Sequence, residues 1–273
     1  MRLADGSIAM ARHTPTGPGT LLVRSRASEA VVEAEAWGSG ADWLLEQLPR
    51  LLGADDDVSG FDPPAGAIAE AWRRHRHWRI GASDTVFETL LPAIIEQKVT
   101  GQEAFAGYRN LVRRFGAPAP GPVNLRLAPD APTVRQIPSW EWLKLPVDQG
   151  RSRPLLKAAG VASSLERALA GGSETLDRAL QSLPGIGRWT SAEVRSRVLG
   201  DADAVSFGDY HVAKDVGWAL VGREVDDDEL EVLLEPYRPH RLRIQGLVAL
   251  AGLGRPRRGP RMAPRRHLPR GYQ

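Results

Sequence analysis

The stretch LPGIGRWTSAEV, from Leu183 to Val194, limits what this chain can fold into more than any other. Before it stands SETLDRALQSL and after it RSRVLG, and both carry helical periodicity. Pro184, Gly185 and Gly187 interrupt that helical region, and the chain resumes at once as a helix. Glycine adopts backbone angles forbidden to other residues, so Gly185 and Gly187 permit a very tight reversal and leave the backbone bare. The second helix then starts with its unpaired N–H groups facing out over the loop, an arrangement suited to an anion. Arg188, Thr190 and Ser191 stand where they can add donors to a phosphate. Two readings are open on these residues: an ordinary helical turn ended by glycine, or a backbone cradle for phosphate.

Composition narrows the class. With 273 residues, 42% of them hydrophobic, the chain has material for two or three subdomains. It has no cysteine. Disulfides, thiolate metal sites and cysteine-ligated iron–sulfur clusters are thereby excluded, and a reducing compartment is the natural home. No apolar run approaches the roughly 20 residues of a membrane span. The start, MRLADGSIAM, lacks the basic-then-apolar pattern of a signal peptide. The expectation is a cytoplasmic, nucleoid-associated protein without a membrane partner. The net charge of +3 is misleading, because seven arginines (255, 257, 258, 261, 265, 266, 270) and no acid lie after Gly252. Without them 29 basic residues face 33 acidic ones, so the body is mildly acidic and a case for nucleic acid rests on local features.

The order of elements reads as mostly α with a small N-terminal α+β domain. LLVRSRASEAVVEAEAWG suggests short strands, and GADWLLEQLPRLLG a helix ending at Gly53. The Pro/Gly-rich ADDDVSGFDPPAG closes this domain, giving residues 1–65. Helical periodicity dominates residues 66–252, with the helix–hairpin–helix over 173–199; an Arg/Pro-rich tail occupies 253–273. Ser83 and Asp84 are candidate N-caps and Gly116 a candidate stop. The acidic runs at 55–57 and 226–228 read as solvated loops or helix starts. His75 and His77 point to different helix faces, which disfavours a metal site there, and His240 reads as structural. Beyond the second hairpin helix, DADAVSFGDYHVAKDVG holds three aspartates. Asp201 and Asp203 read as loop residues, whereas Asp209 precedes a helix and is open to two roles, N-cap or reactive carboxylate. Trp140, Trp142 and Trp189 are each open to core packing or to lining a pocket.

Taken together, the hairpin string and the following GDYH resemble the helix–hairpin–helix superfamily of DNA glycosylases, in the 3-methyladenine DNA glycosylase II branch. FETLLPAIIEQKVTG, LPVDQGRSRPLLKAAG and YRPHRLRIQGLVAL resemble further segments of that family, so the resemblance spans about residues 20–252 and is densest at 183–214. It implies a two-subdomain helical glycosylase architecture. It also implies a monomeric hydrolase in base excision repair that binds double-stranded DNA, flips out an alkylated purine of the 3-methyladenine or 7-methylguanine type and excises it. Asp209 would be the catalytic carboxylate, beside a base pocket of Trp189, Tyr210, His211, Trp140 and Trp142. Gln97, Lys98, Gly185, Gly187, Arg188, Thr190 and Ser191 would meet DNA. Trp189 replaces the lysine of bifunctional relatives, so no lyase activity is expected. No cofactor is required beyond a Na⁺ or K⁺ ion that the family holds on hairpin carbonyls, here those of Gln181, Leu183 and Ile186. Two departures bear on substrate range. Lys98 falls where close relatives insert an apolar wedge, which shifts attention to Val99, and Ala249 falls where the best-known relative has a pocket aromatic. The alternatives are a damage-binding protein with little excision, and a glycosylase for deaminated or etheno purines.

Overall fold

A computed structural model of the chain describes residues 1–256, so the expected basic arm lies outside the described residues from 257 onward. Strands β1 (Ile8–Thr14), β2 (Gly17–Arg26) and β3 (Val31–Trp37) form one antiparallel sheet in the order β1-β2-β3. Thr14 pairs with Gly17 across a tight turn in which Gly17 has φ +121°. Among the described residues thirteen α-helices follow: α1 (Ala41–Leu51), α2 (Ala67–Arg74), α3 (Val86–Ile95), α4 (Gly101–Phe115), α5 (Ala131–Gln136), α6 (Ser139–Trp142) and α7 (Gln149–Gly160), then α8 (Ala162–Ala168), α9 (Gly172–Gln181), α10 (Arg188–Leu199), α11 (Val212–Val221), α12 (Asp227–Leu234) and α13 (Arg241–Leu250). This is the mostly helical chain with a small sheet that the periodicities indicate. Among the described residues no helix is long and apolar enough to cross a membrane.

Packing groups the chain differently from its linear order. Among the described residues one compact unit joins Met1–Pro49 to Thr85–Glu166, and the other joins Arg50–Asp84 to residues 167–256. The linear division at residue 65 is corrected accordingly, because the chain passes from one unit to the other and back before the hairpin.

In the first unit α3 is apolar nearly all round, and every residue of it except Glu88 and Pro92 is buried. It packs on α4 and α7, with α5 against α7. The sequence points to Ser83 or Asp84 as its cap, but the N-cap residue is Thr85, and its side chain makes no capping bond. The carboxylate of Glu166 does that work from a distant part of the chain, accepting the N–H of Val86 at 3.0 Å and of Phe87 at 2.8 Å. Asp84 is turned instead to Arg50 at 2.9 Å. α4 opens with a reciprocal capping box between Thr100 and Glu103. Gly116 does end α4, though its backbone is extended rather than left-handed. Glycine is needed there because a Cβ would collide with the carbonyl oxygens of Leu127 and Val112.

In the second unit α2, α11, α12 and α13 enclose an apolar core that includes Trp72, Leu230 and Leu247 together with Val205 and Phe207 from the loop after α10. Beside it lies a buried ion pair. Arg243 and Asp56, 0% and 2% exposed, meet at 2.6 and 3.0 Å, with Phe61, Trp72 and Trp78 around the guanidinium. The run at 55–57 is therefore not simply a solvated loop: Asp56 is internal, and it also accepts the N–H of Ile80 at 2.9 Å. His240 is structural, with its ring Nε2 3.1 Å from the carbonyl oxygen of Ser59.

Candidate active site

The hairpin is built as its residues require. α9 ends at Gln181, Ile186 N–H bonds back to the Leu183 carbonyl at 3.0 Å, and α10 starts at Arg188. Gly185 has φ +94°, which a side chain would strain. The first bond of α10 runs from the Ser191 N–H to the Gly187 carbonyl at 3.0 Å, so the N–H groups ahead of it stand outside the helical ladder at a bare turn. Ile186 is buried and anchors the turn, while Gly185 and Gly187 are exposed.

Two hydroxyls expected on this surface are elsewhere. Thr190 and Ser191 are buried, and the Ser191 hydroxyl donates to Asp177 at 2.6 Å. At those positions only the backbone is near the turn, because both side chains fall on the face of α10 that packs inward. Arg188 is exposed; it donates to Glu231 at 3.1 Å and lies 4.7 Å from the centre of the Phe207 ring.

The loop from α10 to α11 fixes Asp209 by alternation. Val205 and Phe207 enter the core. Ser206, between them, donates its hydroxyl to Glu193 of α10 at 2.5 Å and its N–H to Gln245 of α13 at 3.1 Å. Gly208 then turns with φ +89°. Asp209 follows, half-buried, with its own N–H on the Ser206 carbonyl at 3.2 Å. Its Oδ1 accepts the N–H of His211 at 2.7 Å and of Val212 at 3.2 Å. The N-cap geometry and the reactive carboxylate are thus compatible: both bonds fall on Oδ1, and Oδ2 takes no part in the turn. Among the described residues no basic side chain pairs with Asp209. The neighbouring aspartates are spent, Asp201 on Arg195 at 2.6 Å and Asp203 on Arg241 at 2.7 Å and Arg238 at 3.1 Å.

Tyr210 is 71% exposed and packs edge-on against the exposed His211 with ring centres 5.0 Å apart. Two cations attend its ring, Lys214 at 4.0 Å and Arg255 at 6.0 Å. Arg255 also lies 3.4 Å from His211 Nδ1 and pairs with Asp215 at 3.4 Å and Glu224 at 3.3 Å, which ties the chain after α13 to the same turn. Gly208, the residue before Asp209, lines a concavity of about 360 Å³ together with Gly187, Arg188, Trp189, Phe207 and Asp227; Asp209 itself is not in its wall. The concavity brings the start of α10, the loop before α11 and the start of α12 to one place.

The remaining candidates lie in the other unit. Trp142 is only 3% exposed, so it is a core side chain there and not a pocket wall; a short helix, α6, turns its ring inward. Trp140, two residues earlier on the same helix, is exposed. Gln97 is half-buried, and Lys98 is exposed with φ +54°, a left-handed backbone unusual for a residue with a side chain. That conformation lies in the loop that joins α3 to the capped start of α4.

No protein-family model matches the chain, and no curated protein matches it by sequence. Solved structures do. MBOgg1 in complex with a low-affinity DNA ligand superposes with TM-score 0.74 at 15% identity, covering 92% of this chain and 86% of that one. A 3-methyladenine DNA glycosylase from Archaeoglobus fulgidus does so with TM-score 0.73 at 18% identity, covering 92% and 88%. The Clostridium acetobutylicum 8-oxoguanine glycosylase/lyase, bound to duplex DNA with cytosine opposite 8-oxoguanine, gives 0.69 at 12% identity over 92% and 87%. This chain has the helix–hairpin–helix DNA glycosylase fold. Within that fold, Asp227 and Phe207 join the site without having been singled out by sequence. Asp227 sat in an acidic run, and Phe207 looked like any core aromatic; their place at the concavity comes from the packing of α12 against the loop before α11.

Proposed function

We propose that this chain is a monofunctional DNA glycosylase that binds duplex DNA as a monomer, flips out an alkylated purine and hydrolyses its glycosidic bond. The observation that carries the reading is Asp209: a carboxylate fixed at Oδ1 by two backbone N–H groups, unpaired by any cation among the described residues, and directly following Gly208, which lines an aromatic-walled concavity. Flipping costs a few kcal/mol and costs least for a base that pairs poorly. The C1′–N bond then breaks with its electron pair going to the base, and positive charge builds on the sugar. A fixed carboxylate stabilises that charge and receives the proton lost by the water whose oxygen bonds to C1′. A purine alkylated at N3 or N7 leaves as a neutral molecule. Trp189 supports hydrolysis without strand cleavage, since an indole cannot form the Schiff base that a lyase needs.

The 3-methyladenine DNA glycosylase among the structural neighbours supports an alkylated substrate, and the 8-oxoguanine glycosylase/lyase marks the competing one. The bare turn of the hairpin would meet a DNA phosphate. A Na⁺ or K⁺ ion on the carbonyls of Gln181, Leu183 and Ile186 would supply a charge bridge there; Leu183 shares its oxygen with the Ile186 N–H and keeps one lone pair for an ion. Lys98 in place of an apolar wedge favours a second reading, a binder of distorted DNA with little excision. Release of free base from heavily methylated DNA, with the strands then checked for nicks, separates the readings. The expected result is free 3-methyladenine or 7-methylguanine with strands intact until alkali is added. Tight binding with no base released would favour the binder, and nicking without alkali would contradict the monofunctional assignment.

A further inference from the structure

Ser206 puts a hydroxyl where packing alone would favour an apolar side chain. It is 2% exposed, between Val205 and Phe207, which both enter the core of the second unit. A buried hydroxyl is destabilising unless its hydrogen bonds are made. Two helices make them, from 13 and 39 residues away along the chain. The hydroxyl donates to Oε1 of Glu193 on α10 at 2.5 Å and accepts from Nε2 of Gln245 on α13 at 3.2 Å. Oε1 of Gln245 accepts the Ser206 N–H at 3.1 Å. The Ser206 carbonyl in turn accepts the N–H of Asp209 at 3.2 Å. Gly208, between the two, donates its N–H to Oδ2 of Asp227 at 2.8 Å. These bonds decide which side chain suits position 245. The Ser206 N–H needs an acceptor, and the hydroxyl, its proton directed to Glu193, needs a donor. An amide supplies both, a carboxylate only the first, and an apolar side chain neither. Apolar burial of Val205 and Phe207 is non-directional, whereas the bonds at Ser206 have a required geometry and fix how the stretch is turned. Asp209 stands three residues further on.

The same clamp ties the Asp209 turn to α10, the helix that opens at the hairpin.

We infer that Gln245 is a positioning residue: with Glu193 it fixes Ser206, and through the Ser206 carbonyl it sets where the Asp209 carboxylate stands. This rests on the glycosylase reading for what Asp209 does. Misplacing a reacting group by about 1 Å costs on the order of a hundredfold in rate. Gln245→Leu keeps the bulk and removes both bonds to Ser206. Ser206→Ala keeps the N–H bond and removes only the hydroxyl, so it decides the matter should Gln245→Leu fail to fold. Glu193→Gln keeps an oxygen for the hydroxyl, and Glu193→Ala does not. Two quantities are measured for each protein. One is single-turnover release of 7-methylguanine from a duplex. The other is affinity for two duplexes that cannot react, one with a pyrrolidine in place of the damaged nucleoside and one with a neutral tetrahydrofuran. The pyrrolidine ammonium stands in for the sugar cation, so preference for it reads the position of Asp209 without any base release. The wild type is expected to prefer the pyrrolidine duplex about tenfold or more. Gln245→Leu is expected to lose most of that preference and to slow release by about ten- to a hundredfold, with tetrahydrofuran affinity within about twofold of wild type. Ser206→Ala and Glu193→Ala are expected to lose at least about threefold of the preference, and Glu193→Gln to restore it. A folded Gln245→Leu, or Ser206→Ala in its place, that keeps the wild-type preference would overturn the inference. So would equal loss of affinity for both duplexes, which marks a purely structural role, and so would a wild type with no preference. A cation preference that depends on Gln245 in a protein that releases no base would uphold the clamp and overturn the glycosylase reading instead.

Discussion

Asp201, Asp203 and Asp209 share one loop and meet different fates. The first two are consumed by arginines, whereas Asp209 is held only by backbone N–H groups at Oδ1. What distinguishes it is the residue before it. Gly208 at φ +89° lets the chain leave the Phe207 anchor and present Asp209 at the start of α11. An alanine there would meet Cβ of Trp189 at an ordinary contact distance of 3.7 Å but pays the left-handed backbone penalty of about 1–2 kcal/mol. Gly208→Ala is therefore expected to lower stability by about that amount in a urea melt and to slow excision further than its stability loss explains; a variant as active and as stable as wild type would show that the turn is not under this constraint. The Asp209 turn was legible in sequence because hairpin and aspartate lie on one continuous stretch. Asp227 was not, since its bond to Gly208 closes a loop across α11 and only packing brings the two together.

At the scale of an element, α3 shows how far local signals reach. Its apolar run identifies it, but its cap is out of local range: Glu166 closes the α3 N-terminus, and the nearby Ser83 and Asp84 do not. Glu88 on the same helix accepts the N–H of His13 at 2.8 Å. Burial pushes the carboxyls of Glu88 and Glu166 above the usual carboxylate range, partly offset by the N–H groups they accept. A carboxyl raised in the folded state binds its proton more tightly there than in the unfolded chain. Its contribution is then fully present below the unfolded value and is lost as pH rises through the folded one. Glu88→Gln carries no such proton. Its melting temperature relative to wild type is expected to rise as pH climbs through the carboxylate range and the raised Glu88 value, and then to level off. A difference constant with pH would contradict the burial effect.

At the scale of the molecule, the chain passes between two units before it reaches the hairpin, and linear reading cannot see that. The helical class, the hairpin and the Asp209 turn were legible because each is written in a local pattern. The unit boundaries, the inward face of Thr190 and Ser191 and the core role of Trp142 depend on tertiary packing. So does the Asp56–Arg243 pair, which ties the stretch after α1 to α13 inside the second unit. Leaving one member of such a pair buried alone costs about 3–5 kcal/mol. Asp56→Ala is expected to lose that much in chemical denaturation, and a loss under about 1 kcal/mol would mean that water or another acid replaces the partner. Among the described residues no basic side chain pairs with Asp209, and the proposed function makes it the group that stabilises the sugar cation. The direct test is single-turnover release of 7-methylguanine from a defined duplex by wild type and Asp209→Asn, with duplex affinity measured on the same samples. The account predicts release by wild type, no measurable release by Asp209→Asn and affinity that is nearly unchanged. Equal rates for the two proteins would contradict it.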